Sequence, residues 1–129
     1  MKNQEIMVVY KWTAKNGKSE ELKGIYEKVT AEMKKNEPGA IQVDCFLDDF
    51  GSTLVVVDLF SDANAVGFHL TTTAAGHFED LLQIATPGEF IFFGDIPNQM
   101  KQAAVQMGLK ATFVKRAFGF ERATSPQAS

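Results

Sequence analysis

The amino-acid sequence predicts an α+β domain in which helices cover one antiparallel β-sheet. Three observations support this class. Apolar stripes at helical spacing alternate with short runs rich in β-branched and aromatic residues, turn residues separate the two kinds of segment, and the order is β-α-β-β-α-β with an added helix and strand. A chain of 129 residues fits one hydrophobic core. We expect one domain over residues 1–121 and a disordered tail over 122–129, which lacks large apolar residues.

The first strand and the first helix have the clearest patterns. Residues 6–12 (IMVVYKW) are mostly β-branched and aromatic, which is typical of a strand. The next segment carries one helical face of apolar residues, namely Leu22, Ile25, Tyr26, Val29 and Met33. This helix is expected to begin at Ser19, whose side chain would cap it, and to end before Pro38.

A hairpin and an interrupted helix are predicted next. Residues 41–47 and Thr53–Phe60 are two strands joined by the turn residues 48–52 (DDFGS). A second helix should start near Asp62 and run in two pieces, because the three threonines at 71–73 are poor helix formers. Its second piece carries the stripe Ala74, Phe78, Leu81, Leu82 and Ala85.

The last third of the chain predicts a strand, a helix and a further strand. Residues 89–93 (EFIFF) form the fourth strand, residues 95–97 open a third helix, and residues 112–120 form a fifth strand that contains Phe118 and Phe120. The complete order matches the ferredoxin-like arrangement, an antiparallel sheet with helices on one face, extended here by a C-terminal helix and strand.

Both faces of the predicted sheet are apolar. In the first strand Val8 and Tyr10 point to one side and Met7 and Val9 to the other, and the third and fourth strands repeat this pattern. A monomer rarely exposes an apolar face of this size, so we expect a homodimer formed sheet face against sheet face. The alternative is that the C-terminal helix covers the second face within one chain.

Composition excludes several classes of protein. Thirteen basic against sixteen acidic residues give a net charge of −3, which argues against a nucleic-acid partner. The N-terminal apolar run is too short for a membrane span or a signal peptide, so no membrane partner is expected. The single cysteine, Cys45, excludes a disulfide framework, which favours a cytoplasmic location, and is itself expected to be buried and inert. No nucleotide-binding or metal motif occurs, and neither a cofactor nor a metal is predicted.

Two histidines and a group of aromatic residues are the candidates for a functional site. His69 and His77 lie on the second helix, and an imidazole can accept or donate a proton near neutral pH. The alternative for either is a partly buried ring that is hydrogen-bonded to the backbone. Their spacing of eight residues is not the i, i+4 spacing of a metal-binding pair. The predicted walls of a pocket for a flat aromatic molecule are Tyr10, Trp12, Phe46, Phe60, Phe68 and Phe92, of which Phe68 could instead be a dimer contact.

Over about residues 5–95, the chain resembles the antibiotic biosynthesis monooxygenase family of the dimeric α/β-barrel superfamily. The resemblance rests on the element order, on residues 37–43 (EPGAIQV), and on a histidine-leucine pair at His69 that is followed by a histidine-phenylalanine pair at His77. It implies a face-to-face dimer with a pocket between sheet and helices, and the oxidation of a small phenolic or quinol-type aromatic by molecular oxygen without a cofactor. By this resemblance, His69 or His77 would be the base and Tyr10, Trp12 and Phe68 the pocket walls.

The resemblance leaves a second function open, a non-catalytic dimeric barrel that binds a small apolar ligand in stress response or regulation. It does not extend to haem degradation. Haem-degrading relatives combine an asparagine, a tryptophan and a histidine, whereas the first strand here has no asparagine and the single tryptophan, Trp12, lies on that strand.

Overall fold

The computed structural model describes residues 1–123. The strands are β1 (Ile6–Ala14), β2 (Ala40–Leu47), β3 (Thr53–Phe60), β4 (Ala85–Pro87), β5 (Phe90–Phe93) and β6 (Ala111–Val114). The helices are α1 (Ser19–Asn36), α2 (Ala63–Thr71), α3 (Thr73–Ile84) and α4 (Asn98–Gln106). Within residues 1–123, none of these helices has the length and apolar character that a membrane span requires.

The strands form one sheet in the order β2-β3-β1-β5-β6, which confirms the predicted α+β fold. The short strand β4 pairs with one end of β1, and β5 pairs with the other end along the same edge. All pairs are antiparallel except β5 with β6, which are parallel because α4 connects them. In the central pair, Val8 lies opposite Asp58 and Tyr10 lies opposite Val56, so these side chains share one face.

The helix-covered face of the sheet holds the core. Alternate residues of β1, from Ile6 to Trp12, are buried, as are alternate residues of β3 from Leu54 to Phe60. Against them packs the predicted stripe of α1, of which Leu22, Tyr26, Val29 and Met33 are buried. The predicted direction of the side chains in β1 and β3 is therefore confirmed.

The C-terminal helix α4 packs on this same face, against α2 and β6. Its Ala104 is fully buried, and Gly67 of α2 approaches Met100. The alternative that α4 covers the second face of the sheet is therefore wrong. That second face remains half-exposed in the single chain at Met7, Val9, Val55, Val57, Leu59, Ile91 and Phe93.

The break between α2 and α3 falls at Thr72, within the predicted threonine run. The Thr71 hydroxyl donates to the Gly67 carbonyl at 2.9 Å, a side-chain bond that competes with continuation of the helix. The start of α2 is fixed by Asp62, whose carboxylate accepts a hydrogen bond from the Ala65 backbone N–H at 2.9 Å. These two hydrogen bonds mark the two ends of α2.

Four local predictions differ from the structure. The strand predicted over 112–120 ends at Val114, because its partner β5 ends at Phe93; Phe118 and Phe120 are exposed beyond it. Residue Cys45 is exposed rather than buried, since β2 is an edge strand. The side chain of Ser19 does not cap α1. The segment at Ala85 is strand β4 and not the last turn of a helix. Residues 124–129 of the predicted disordered tail lie outside the described part of the chain.

Candidate active site

A narrow cavity of about 40 Å³ lies between the covered face of the sheet and α1–α3. Met107 and Leu109, from the connection between α4 and β6, also line it. This volume has room for a few water molecules, so a ring-sized ligand enters only when side chains such as that of Met107 move aside. Most of the wall is apolar, and its polar side chains are Tyr10, Trp12, Tyr26, Asp58 and His69.

His69 is held by a buried carboxylate. Its Nδ1 lies 3.0 Å from Oε2 of Glu37, and both side chains are almost fully buried. Burial disfavours the charged form of Glu37, but the hydrogen bond and charge of His69 outweigh it and lower the pKa of the carboxyl. An ionised carboxylate only accepts hydrogen bonds, so Nδ1 carries the proton. The other ring nitrogen, Nε2, makes no hydrogen bond within residues 1–123 and is a free acceptor in the neutral ring.

Two features of the backbone bring Glu37 beneath His69. Glu37 follows the last residue of α1 and its backbone N–H donates to the Met33 carbonyl at 2.9 Å. Gly39 then passes so close to α2 that a Cβ atom there would lie 2.5 Å from Cβ of Ala65. Only glycine permits this approach, which places the end of α1 against the start of the helix that carries His69.

A second set of polar groups forms a chain of hydrogen bonds. The Trp12 indole N–H donates to the Tyr26 hydroxyl, the Tyr26 hydroxyl donates to the Tyr10 hydroxyl, and the Tyr10 hydroxyl donates to Oδ2 of Asp58, each at 3.1 Å. Burial raises the pKa of both tyrosines well above the usual value, so both remain neutral donors. The chain of donors therefore ends at Asp58, which accepts from Tyr10.

Within residues 1–123 two buried carboxylate oxygens have no hydrogen-bond partner, Oε1 of Glu37 and Oδ1 of Asp58, and of these two residues only Asp58 lines the cavity. It is 1% exposed, and its second oxygen, Oδ1, has no hydrogen-bond partner within residues 1–123. Burial raises the pKa of Asp58 to about 6, although the charge of His69 and the hydrogen bond from Tyr10 lower it and the charge of Glu37 adds to the rise. Asp58 therefore changes its charge close to neutral pH.

The structure separates the two predicted histidines. His69 lines the cavity, whereas His77 lies outside its wall and pairs with Glu32 of α1, with 2.9 Å between Nε2 and Oε1. This second pair is partly exposed to solvent. The catalytic role predicted for either histidine stays a prediction, and the cavity geometry favours His69.

The predicted aromatic walls divide in the same way. Tyr10, Trp12, Phe60 and Phe92 line the cavity. Phe46 lies opposite Val55 on the second face of the sheet and is 56% exposed. Phe68 is 48% exposed on α2. Neither of the last two contributes to this cavity, because Phe46 has the other strand parity and Phe68 points outward from its helix.

Sequence reasoning missed three residues of the site, Tyr26, Glu37 and Asp58. A weak signal existed for each of them. Tyr26 is the one polar-tipped residue in the apolar stripe of α1, and Asp58 is the one charged residue on the inward parity of an apolar strand. Glu37 precedes Pro38 directly after the helix. None of these signals identifies the hydrogen-bond partners of the three residues, because those partners come together only in the folded chain.

The arrangement can accept protons from a bound molecule at two buried side chains. His69 and Asp58 offer two acceptors in an apolar enclosure, and the enclosure strengthens their interactions with a bound polar group. Among residues 1–123, no group of three or more His, Cys, Asp and Glu side chains is arranged to hold a metal ion. Fold and site together define a ferredoxin-like α+β protein with a buried acid–base cavity.

The chain belongs to the antibiotic biosynthesis monooxygenase family, whose model matches residues 5–81. No curated protein matches the sequence at a significant level.

Solved structures share the fold at low sequence identity. MupZ from Pseudomonas fluorescens has a TM-score of 0.80 and 18% identity over 93% of this chain and 96% of its own. SnoaB from Streptomyces nogalater, described as a cofactor-independent oxygenase, has a TM-score of 0.62 and 19% identity over 73% and 95%. A conserved protein from Methanosarcina mazei Go1 has a TM-score of 0.63 and 18% identity over 72% and 94%. At these identities the likeness shows the fold alone.

Proposed function

We propose that this protein is a cofactor-independent monooxygenase that oxidises a small phenolic or quinol-type aromatic with molecular oxygen. The observation that carries the proposal is His69, which lines the cavity with Nε2 free while buried Glu37 holds Nδ1. In this scheme Nε2 takes the proton of the aromatic hydroxyl, and the electron-rich phenolate reduces oxygen. One oxygen atom enters the ring and the other leaves as water, and because the substrate itself supplies all four electrons, the product is a quinone. Membership of the family and the cofactor-independent oxygenase SnoaB among the structural neighbours support it.

The proposal is tested by oxygen uptake with hydroquinones as substrates, comparing the wild type with His69→Gln and His77→Gln. Removing the base should lower the initial rate by about a hundredfold or more. His77→Gln is the matched control, since His77 lies outside the cavity wall, and its rate should stay within about twofold of the wild type. Equal rates in wild type and His69→Gln would remove His69 from the mechanism, and a loss confined to His77→Gln would make His77 the base.

The apolar character of the cavity wall favours a second candidate, the non-catalytic binding of a small apolar ligand. The same assay separates the two. Saturable binding of a hydroquinone by calorimetry, with no oxygen uptake above the rate in buffer, would support binding without turnover. Turnover that depends on His69 would exclude it.

We also propose that two copies of the chain associate through the second face of the sheet. Support comes from the half-exposed row of apolar side chains on that face, which no helix of residues 1–123 covers, and from exposed Phe46 beside it. Val57→Asp would place a charge in the middle of this row. Sedimentation should then show a monomer where the wild type is a dimer; a monomeric wild type would refute the association.

The single free Cys45 suits a reducing compartment such as the cytoplasm.

A further inference from the structure

We infer that Asp58 binds the ligand directly, its free Oδ1 accepting a hydrogen bond from a second hydroxyl group, so that the cavity selects aromatic diols over molecules with one hydroxyl. The inference rests on the proposed function, in which His69 receives the first hydroxyl. It narrows the proposed phenolic or quinol-type class to diols and adds Asp58 as a ligand-contacting residue that the sequence pattern did not indicate.

The unpartnered oxygen is the first observation. Asp58 is buried, lies in the wall of the cavity, and leaves Oδ1 without a partner within residues 1–123. Buried polar atoms are nearly always hydrogen-bonded, and a buried carboxylate oxygen without a donor is costly. A bound molecule with a hydroxyl group at this point would supply the missing donor.

The fixed orientation of the carboxylate is the second observation. The Tyr10 hydroxyl holds Oδ2, the Tyr26 hydroxyl holds Tyr10, and the Trp12 indole holds Tyr26. Tyr10 and Asp58 reach one another diagonally across the pair β1 and β3. These contacts hold Oδ2 in place and leave Oδ1 as the oxygen to which a ligand can donate once side chains move to admit it.

The third observation places Asp58 beside His69. Phe60 lies two residues after Asp58 on the same face of β3, and its ring centroid is 5.4 Å from that of His69. Asp58 and His69 are thus neighbours across one aromatic side chain and line the same cavity. A ring that gives one hydroxyl proton to Nε2 can present a second hydroxyl to Oδ1, while its apolar faces contact the aromatic walls.

The test measures binding without oxygen, so that no oxidation is needed. Hydroquinone, 4-methoxyphenol and 1,4-dimethoxybenzene form a series with two, one and no hydroxyl groups on one ring. The chain has a single tryptophan, and Trp12 lines the cavity, so its one indole N–H signal in nitrogen-15 NMR reports occupancy. We expect hydroquinone to bind about tenfold more tightly than 4-methoxyphenol, as one hydrogen bond to a charged acceptor provides.

The variant Asp58→Asn keeps an oxygen for Tyr10 but turns the group that faces the ligand from an acceptor into a donor. It should reduce the preference for hydroquinone over 4-methoxyphenol to about twofold or less. Asp44→Asn is the matched control, because Asp44 lies opposite Val57 on the other face of the sheet, and it should keep the full preference. An unchanged preference in Asp58→Asn would overturn the inference.

If Asp58→Asn does not fold, binding of the same compounds to the wild type still tests the role of Asp58. Equal binding of all three compounds would overturn the role of Asp58, and tighter binding of 4-aminophenol than of hydroquinone would replace the diol by an amine ligand and overturn it as well. Failure of the proposed oxidation is a separate result. Diol preference without oxygen uptake would refute the monooxygenase and retain Asp58 as a ligand contact, whereas His69-dependent uptake without diol preference would do the reverse.

Discussion

The two histidine–glutamate pairs of this chain have nearly the same geometry in very different surroundings. His69 and Glu37 are separated by 3.0 Å, and His77 and Glu32 by 2.9 Å. The side chains of the first pair are 7% and 2% exposed, those of the second 18% and 46%. Both pairs join α1, or the residue after it, to the region that α2 and α3 form.

The difference teaches that contact distance does not identify a site. Water screens the exposed pair and competes for its hydrogen bond, so the pair contributes little energy and leaves the ring free to exchange partners. The buried pair has no such competition, and Glu37 therefore fixes which nitrogen of His69 carries the proton. A histidine–glutamate contact is common on protein surfaces. In the buried pair, it leaves Nε2 of His69 as a proton acceptor in a residue that lines the cavity.

Glu37→Gln and Glu32→Gln test this contrast through stability. Loss of the buried carboxylate should lower the free energy of unfolding by about 3 kcal/mol, because the almost fully buried His69 loses its ionised partner. The exposed change should cost less than about 1 kcal/mol. Guanidinium denaturation at neutral pH measures both. Equal losses would show that the protein does not distinguish the two environments.

Asp58 gives the buried side a pH dependence of its own. Its pKa is raised from 3.8 to about 6, so the folded protein retains a proton that the unfolded chain has released, and stability falls as pH rises through this range. The lowered pKa of Glu37 acts in the opposite direction, but only below 4.5. Between pH 4.5 and 6 we expect a loss of about 1.5 kcal/mol in the wild type.

Asp58→Asn should remove this decrease of stability between pH 4.5 and 6 and leave the pH dependence outside this range unchanged. Urea denaturation at several pH values would show it as a difference between the two proteins that grows toward pH 6. A wild type whose stability rises over the same interval would contradict the raised pKa.

Two glycines next to the pairs provide the smallest changes. Gly39→Ala would place a Cβ atom 2.5 Å from Cβ of Ala65 and force α2 away from Glu37, with an expected loss of about 2 kcal/mol. Gly76→Ala, adjacent to His77 in α3, meets nothing within 4 Å and should stabilise the helix by about 0.5–1 kcal/mol. Thermal unfolding of both variants measures whether each change raises or lowers stability. A loss of stability in Gly76→Ala would contradict the open surroundings of that position.

Sequence patterns predicted the fold well because periodicity records burial. The stripe of α1 and the alternation in β1 directly reflect which side chains leave water, and the interruption at 71–73 follows from the side-chain chemistry of threonine. The predicted length of the C-terminal strand was wrong, because composition alone does not show whether backbone partners exist. Phe118 and Phe120 have the right composition, but β5 is too short to offer them backbone partners.

The site was predicted only in part, because it consists of contacts between distant segments. His69, Tyr10 and Trp12 could be found as residue types on the right elements. Their partners could not, since Glu37 lies 32 positions from His69 and Asp58 lies 48 positions from Tyr10. Which histidine meets the cavity depends on how α2 and α3 rotate against the sheet, and no local pattern records that rotation.

The connection between α4 and β6 contributes Met107 and Leu109 to the cavity although it lies beyond residues 5–81, the part that defines the family. Structural neighbours such as SnoaB cover about three quarters of this chain, whereas the match to MupZ covers 93% and must include part of this C-terminal segment. The acid–base residues His69, Glu37 and Asp58 therefore lie within the segment that the family model matches, whereas Met107 and Leu109 lie outside it. Substitutions at Met107 or Leu109 would change the room available to a ligand without touching the groups that accept its protons.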